Sequence, residues 1–212
     1  MRIDIVSDVA CPWCAVGLNS LERALEKIGD DIPVQLHFQP FELNPTMDFA
    51  GVDSAEYLLK KYGMSKEQLA QNRLNLHQRG AEVGFQFGTG NRVWNTFHAH
   101  RLMHWAGLQN IPDVQRKLKH ALLQAYHGEG LNTADPETLV TVAVKAGLNE
   151  AQAREVVNSD LYSDEVREAE KYWQQAGISS VPAFIINQKH LISGGQPPNV
   201  FVEALRKIAE EE

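Results

Sequence analysis

Apolar and polar residues alternate at both ends of this chain and recur at helical spacing in its middle. Ile3 and Ile5 alternate with polar neighbours over residues 2–6, the pattern of a half-buried strand. A turn over residues 7–10 leads into a helix on which Leu18, Leu21, Leu25 and Ile28 share one face, and Gly29 supplies its C-terminal stop. Val34, Leu36 and Phe38 alternate again, so a second strand is expected over residues 34–38. Strand, helix, strand is the opening of a βαβ unit.

From about residue 54 to 176 the period is helical and no strand is expected. Val114, Leu118, Ala121, Leu122 and Ala125 form one stripe, and Ala99, Leu102, Met103 and Ala106 another. Asp135 followed by Pro136 marks a capped helix start that Gly147 closes, and Asn149 with Gln152 resembles a capping box for the next helix. Val166, Ala169, Trp173 and Ala176 make a further stripe ended by Gly177, while the glycines of residues 84–92 mark a loop. Alternation returns near the C-terminus. Residues 183–186 are a short apolar run, Asn187-Gln188-Lys189 turns, and His190-Leu191-Ile192 is its hairpin partner, before a last helix carrying Val200, Phe201, Ala204, Leu205 and Ile208. The expected fold is α/β: a discontinuous domain of residues 1–45 and 177–212, interrupted by a helical insertion of residues 46–176. That block of roughly 120 residues is long enough to need its own core.

Composition narrows the functions without naming one. Hydrophobic residues are 43% and charged residues 22% of 212, ordinary for a globular chain. Lys plus Arg number 20 against 27 Asp plus Glu, a net charge of −7, and no basic run exceeds two residues. Neither a nucleic-acid footprint nor a polybasic membrane patch is therefore expected, and no apolar run approaches the ~18 residues of a membrane span. The N-terminus carries Asp4 and Asp8 and is patterned as a strand rather than a signal peptide, so a cytoplasmic location is expected.

Only two cysteines occur, three apart, as Cys11-Pro12-Trp13-Cys14. Two cysteines placed at random in a chain of this length meet that spacing only about once in a hundred cases. Cys11 falls at the expected start of the first helix, where unpaired N–H groups and the helix dipole favour negative charge, and Pro12 suits that first turn. Cysteines so placed commonly titrate between ~3.5 and 7.5, against ~8.5 for a free thiol. The spacing sets both sulfurs on one helix face, close enough for a disulfide. Dithiol–disulfide exchange follows, with Cys11 attacking and Cys14 resolving. A zinc site would need two more ligands, for which His98, His100 and His104 are the candidates.

Ser7-Asp-Val-Ala-Cys-Pro-Trp-Cys-Ala-Val-Gly17 after a strand, a helical insertion, and Val181-Pro182 before a late strand resemble the DsbA family of thioredoxin-fold oxidoreductases, and within it the FrnE-like branch. Further matching stretches are residues 41–45, Asn95-Thr-Phe-His-Ala-His-Arg-Leu102 and Ser193-Gly-Gly-Gln196, so the likeness spans nearly the whole chain. Two positions depart from it: Ser180 replaces the usual glycine, and the intervening dipeptide is Pro-Trp where strongly oxidising members have Pro-His.

The resemblance implies a cis Val181–Pro182 bond facing the cysteines, with the Val181 backbone pairing an extended substrate. It implies Pro12, Trp13, Val181 and Pro182 as a substrate surface, with His100 as a further substrate contact. Asp8 is expected to hold the turn or cap the helix, and Trp94, Trp105 and Trp173 to fill the insertion's core. The partner is then a thiol- or disulfide-containing protein or small molecule. No cofactor is implied, and glutathione is the candidate co-substrate. Without the Pro-His histidine, and in a reducing compartment, a potential below the DsbA type and a reductase or isomerase direction are expected. Two other functions stay open. One is a glutathione-using enzyme resembling kappa-class transferases and chromene-carboxylate isomerases, which typically carry serine at the position of Cys11. The other is a redox-switched binding protein.

Overall fold

The structure, a computed structural model, describes residues 1–90 and 92–211. Asn91, inside the expected loop of residues 84–92, and Glu212 lie outside the described residues. The N-terminal βαβ unit is β1 (Arg2–Ser7), α1 (Pro12–Ile28) and β2 (Gln35–Pro40), and β5 (Ala183–Ile186), β6 (His190–Ser193) and α9 (Pro198–Glu210) close the chain. Together they build a four-stranded sheet of order β2-β1-β5-β6, with β1 parallel to β2 and antiparallel to β5, and β5 antiparallel to β6. This is the thioredoxin-like arrangement with a large helical insertion.

The period of two sorts the sheet's side chains. Leu36, Ile3 and Ile186 stand in one row across the strands, and Phe38, Ile5, Phe184 and Ile192 in the next. Both rows pack with Leu18 and Leu21 of α1 and with Phe201 and Leu205 of α9. Burying such a side chain contributes roughly 1.5–3 kcal/mol. On the opposite face Val6 and Ala183 pack with Phe41, Ile178 and Trp173, which lies on α8 (Ser163–Gln175). Trp173 thus belongs to the sheet's second face rather than to the insertion's interior, while Trp94 and Trp105 do lie in the insertion's core.

Between the sheet segments run α2 (Ser54–Tyr62), α3 (Lys66–Val83), α4 (Phe97–Gly107), α5 (Val114–Leu123), α6 (Pro136–Lys145), α7 (Glu150–Val157) and α8. Asp135 caps α6 by accepting from the Thr138 amide, with Pro136 in the first turn, and Asn149 caps α7 through the Gln152 amide. Two local departures appear. A two-residue antiparallel ladder joins β3 (Val52–Asp53) to β4 (Arg92–Val93), so the middle is not free of strand. Two residues per strand carry no readable alternation, and just before β3 Gly51 takes a φ of +68° at a place where a Cβ would lie 2.5 Å from the Trp94 ring. The stripe beginning at Val114 also does not end as one α-helix. It widens into a π-helical turn over Gln124–Gly128, which carries His127.

Candidate active site

Cys11 is the N-cap of α1, in extended conformation, and Pro12 takes the first helical position. The Cys11 amide bonds to the Asp8 carbonyl at 3.3 Å and the Cys14 amide to the Cys11 carbonyl at 3.0 Å, so a tight turn feeds the dithiol into the helix. Both cysteines are free thiols. Both are buried, Cys11 at 4% and Cys14 at 2% exposure, while Trp13 between them in sequence is 38% exposed. Their partners separate them. The Cys11 thiol donates to the Val181 carbonyl at 3.5 Å, whereas Cys14 bonds to Cys11 and lies against the Asp8 backbone. Burial, followed by the hydrogen bond to Cys11, pushes the Cys14 thiol well above the ordinary cysteine range.

The Val181–Pro182 bond is cis and the pair lies beside Cys11. Gly17 explains how the loop comes so close. A Cβ there would lie 2.9 Å from Pro182 Cγ and 3.0 Å from Phe184 Cζ, so the absence of a side chain on α1 admits the proline. The stretch 193–196 completes this surface. The Gly194 amide donates to the Pro182 carbonyl at 2.8 Å, Gly195 packs against Trp13, and Arg79 of α3 donates to the Gly195 carbonyl at 3.1 Å.

Asp8 does not cap α1. Fully buried, its carboxylate accepts from the Ala10 amide (3.2 Å), the Leu43 amide (2.7 Å), the Thr96 hydroxyl (2.8 Å) and His100 Nε2 (3.2 Å). Burial alone would raise its pKa; the hydrogen bonds from His100, Leu43 and Thr96 outweigh that and hold it below the usual aspartate range. An ionised carboxylate only accepts, so His100 must present Nε2–H. His100 is therefore buried behind the dithiol loop and spent on Asp8, not open to the surface that Trp13 shapes.

His127 from the π turn joins the same clamp, donating from Nε2 to the Val9 carbonyl at 2.8 Å. Burial holds it neutral, with a pKa lowered to about 4. Residues 8 and 9 are thus gripped by Thr96, His100 and His127, all from the insertion. The stretches 41–45 and 95–102 converge here through Leu43, Thr96 and His100, and Glu42 is buried in an ion pair with Arg167. Nothing in the sequence marks His127, since a histidine near an apolar helix stripe gives no local sign of which loop it will meet.

His98 turns to Arg101 and His104 to Tyr162, and no group of three or more His, Cys, Asp or Glu among the described residues could hold a metal ion. Among the described residues no helix is long and apolar enough to cross a membrane.

Residues 2–206 match the family described as the DSBA-like thioredoxin domain. The chain belongs to that family. SCO1869 of Streptomyces coelicolor, described as a probable DsbA oxidoreductase, is 34% identical and superposes with a TM-score of 0.92 over 100% of this chain and 91% of its own. YwbO of Bacillus subtilis, an uncharacterized protein, is 28% identical over 97% of this chain and 96% of its own. The fold also recurs at 14% identity in the cytosolic disulfide reductase DsbM of Pseudomonas aeruginosa, TM-score 0.68, covering 100% of both chains. Family and architecture make this DsbA-like chain a thiol–disulfide oxidoreductase.

Proposed function

We propose that Cys11 is the attacking and Cys14 the resolving thiol of this DsbA-like protein. The placement of Cys11 at the start of α1, against the Val181 carbonyl, carries the reading. The Cys11 thiolate attacks a substrate disulfide, forming a mixed disulfide and expelling one substrate thiolate. Cys14 then attacks the Cys11 sulfur, expelling the second substrate thiolate and leaving the Cys11–Cys14 disulfide. Two molecules of a thiol such as glutathione, as co-substrate, return the pair to the dithiol and leave as their own disulfide. Pro12, Trp13, Val181 and Pro182 form the face a thiol- or disulfide-containing protein or small molecule meets, with an extended segment pairing along the Val181 backbone. His100 acts at one remove, by ordering Asp8 and the turn into Cys11.

Mutagenesis tests the assignment. Cys11→Ser abolishes exchange, and Cys14→Ser accumulates mixed disulfides at Cys11 that are seen by mass spectrometry. Faster alkylation of Cys14 than of Cys11 in the reduced protein at neutral pH would reverse the roles.

The direction proposed is that of a reductase or isomerase in a reducing cytoplasm. Trp13 occupies the place where strongly oxidising relatives carry a histidine, so one charge-assisted contact to the thiolate, worth about 1.5–3 kcal/mol, is missing. Its loss favours the disulfide and lowers the potential by roughly 30–60 mV from about −120 mV. Equilibration against glutathione buffers measures this, and Trp13→His raises the potential by the same amount. A wild-type potential at or above about −120 mV refutes the direction.

A further inference from the structure

The helix pair α2 and α3 contributes little to either core. α2 has 9 residues and α3 has 18, and of these only Ser54, Leu69, Gly80 and Val83 are buried. The helices stand on their caps, with Asp53 accepting from the Glu56 amide and Ser65 in a capping box with Gln68. Two polar ties fix the pair beside the dithiol surface. Lys61 of α2 donates to the Leu43 carbonyl at 3.2 Å and to Asn44 Oδ1 at 2.6 Å, and Leu43 and Val181 pack against the same apolar cluster. Arg79 of α3 donates to the Gly195 carbonyl at 3.1 Å, and Gly195 lies against Trp13. Between the two helices runs an open groove of about 560 Å³. Leu59, Leu69 and Leu74 line it, and Leu74 is 65% exposed, more than any other large apolar side chain among the described residues. Its polar lining is Lys66, Arg73 and His77, with no acid among them. Residues 54–83 carry five Lys or Arg against three Glu, whereas the whole chain carries 20 Lys or Arg against 27 Asp or Glu.

We propose that this groove docks a segment of a protein substrate, one in which apolar residues alternate with acidic ones, while the substrate's disulfide meets Cys11. The inference rests on the dithiol reading above and names the class of substrate. A contiguous apolar strip on exposed helices is a binding surface rather than a core, since no other part of the described chain covers it. The leucines supply affinity by burying the partner's apolar side chains. Lys66 and Arg73 at the edge of the strip favour carboxylates and reject basic segments. A tripeptide thiol such as glutathione has no large apolar side chain to lay on such a strip, so the groove serves polypeptides. Docking then raises the effective concentration of the substrate disulfide at Cys11.

Three synthetic peptides test this. Each carries a cysteine capped with thionitrobenzoate, a flexible Gly-Ser spacer made in several lengths, and a tail of Leu-Glu-Leu-Glu-Leu, Leu-Lys-Leu-Lys-Leu or Ser-Glu-Ser-Glu-Ser. On mixing with reduced protein, the Cys11 thiolate bonds to the peptide sulfur and the bond from that sulfur to thionitrobenzoate breaks. The electron pair leaves on thionitrobenzoate, whose absorbance is followed. Ratios of rates between peptides cancel the intrinsic reactivity of Cys11. At low salt the acidic apolar tail reacts about tenfold faster than either other tail. Leu74→Gln removes its advantage over the Ser-Glu tail, and Lys66→Gln cuts its advantage over the Leu-Lys tail about threefold. Both side chains are exposed, so neither change disturbs folding. Equal rates for the three tails on the wild-type protein, or an advantage that survives Leu74→Gln, overturns the proposal. So does a concentration-dependent dimer in sedimentation that Leu74→Gln dissolves, which would give the groove to a second copy of this chain. Failure of every peptide to release thionitrobenzoate would instead break the exchange reading itself.

Discussion

The sheet half and the helical insertion are each built around apolar rows, and at the dithiol turn buried polar groups join the apolar packing of Val9 in holding one to the other. In the sheet, Ile3, Ile5, Phe184 and Ile186 pack with Leu18 and Phe201. In the insertion, Leu102, Leu118, Leu122, Leu139 and Val156 form a second core, which also takes in Val9 of the dithiol turn. Such rows accept volume-conserving swaps at a modest cost. The seam is less forgiving. Asp8 and Val9 are gripped by Thr96, His100 and His127, and a buried hydrogen-bonding group that loses its partner keeps its whole desolvation penalty. The difference teaches that the insertion does more than lengthen the protein: it supplies the second wall of the active-site loop.

The most damaging test of this contrast is Asp8→Ala. It strands the Leu43 amide, the Thr96 hydroxyl and the buried His100, and the expected loss is roughly 3–5 kcal/mol in denaturant unfolding. A loss below about 1 kcal/mol would show that apolar packing alone joins the two regions.

Acid should act on the same seam. His127 has a pKa of about 4 in the folded protein against 6.5 as its ordinary value, so between those limits the unfolded chain binds more protons. Stability is therefore fully present above about pH 6.5 and declines as the pH falls to about 4, by roughly 3 kcal/mol at most from this group. His127→Gln flattens that decline, read from thermal unfolding across the pH range; an unaltered acid limb would remove His127 from the clamp.

Gly17→Ala probes the sheet side of the site. Its new methyl meets Pro182 and Phe184, an overpacking expected to cost about 1–3 kcal/mol and to slow exchange by displacing the loop at Val181. The smallest effect belongs to Asp135→Ala. Loss of the α6 cap costs about 1 kcal/mol, far from the dithiol, and exchange rates stay as they were. If Asp135→Ala slowed exchange as much as Gly17→Ala, the two regions would be coupled throughout and not only at the clamp.

Much of the fold was legible because its signals are local. Strands expected over residues 34–38 and 183–186 appear at Gln35–Pro40 and Ala183–Ile186, and Asp135-Pro136 and Asn149 start their helices as their side-chain chemistry requires. The β3–β4 ladder was not legible, since two-residue strands have no period, and neither was the π turn at Gln124–Gly128, which interrupts an otherwise regular stripe. Within the site, Cys11 and Cys14 are marked by their spacing, and Val181–Pro182 by the resemblance of its setting before a late strand to the DsbA family. The substrate contact expected of His100 fails to foresee its partner, because a histidine in a matching segment does not reveal which way its helix turns. The structure gives that ring to Asp8.

By itself the amino-acid order determined the alternating and helical segments, the caps, and a dithiol at the first turn of a helix, all set by residues within about one helical turn or strand repeat of each other. Only the tertiary structure decided which charges face that dithiol. Asp8 meets His100 across 92 residues and Val9 meets His127 across 118. Whether a buried ion is stabilised or stranded depends on such distant partners at hydrogen-bonding range, and no local pattern encodes where two packed elements will bring them together.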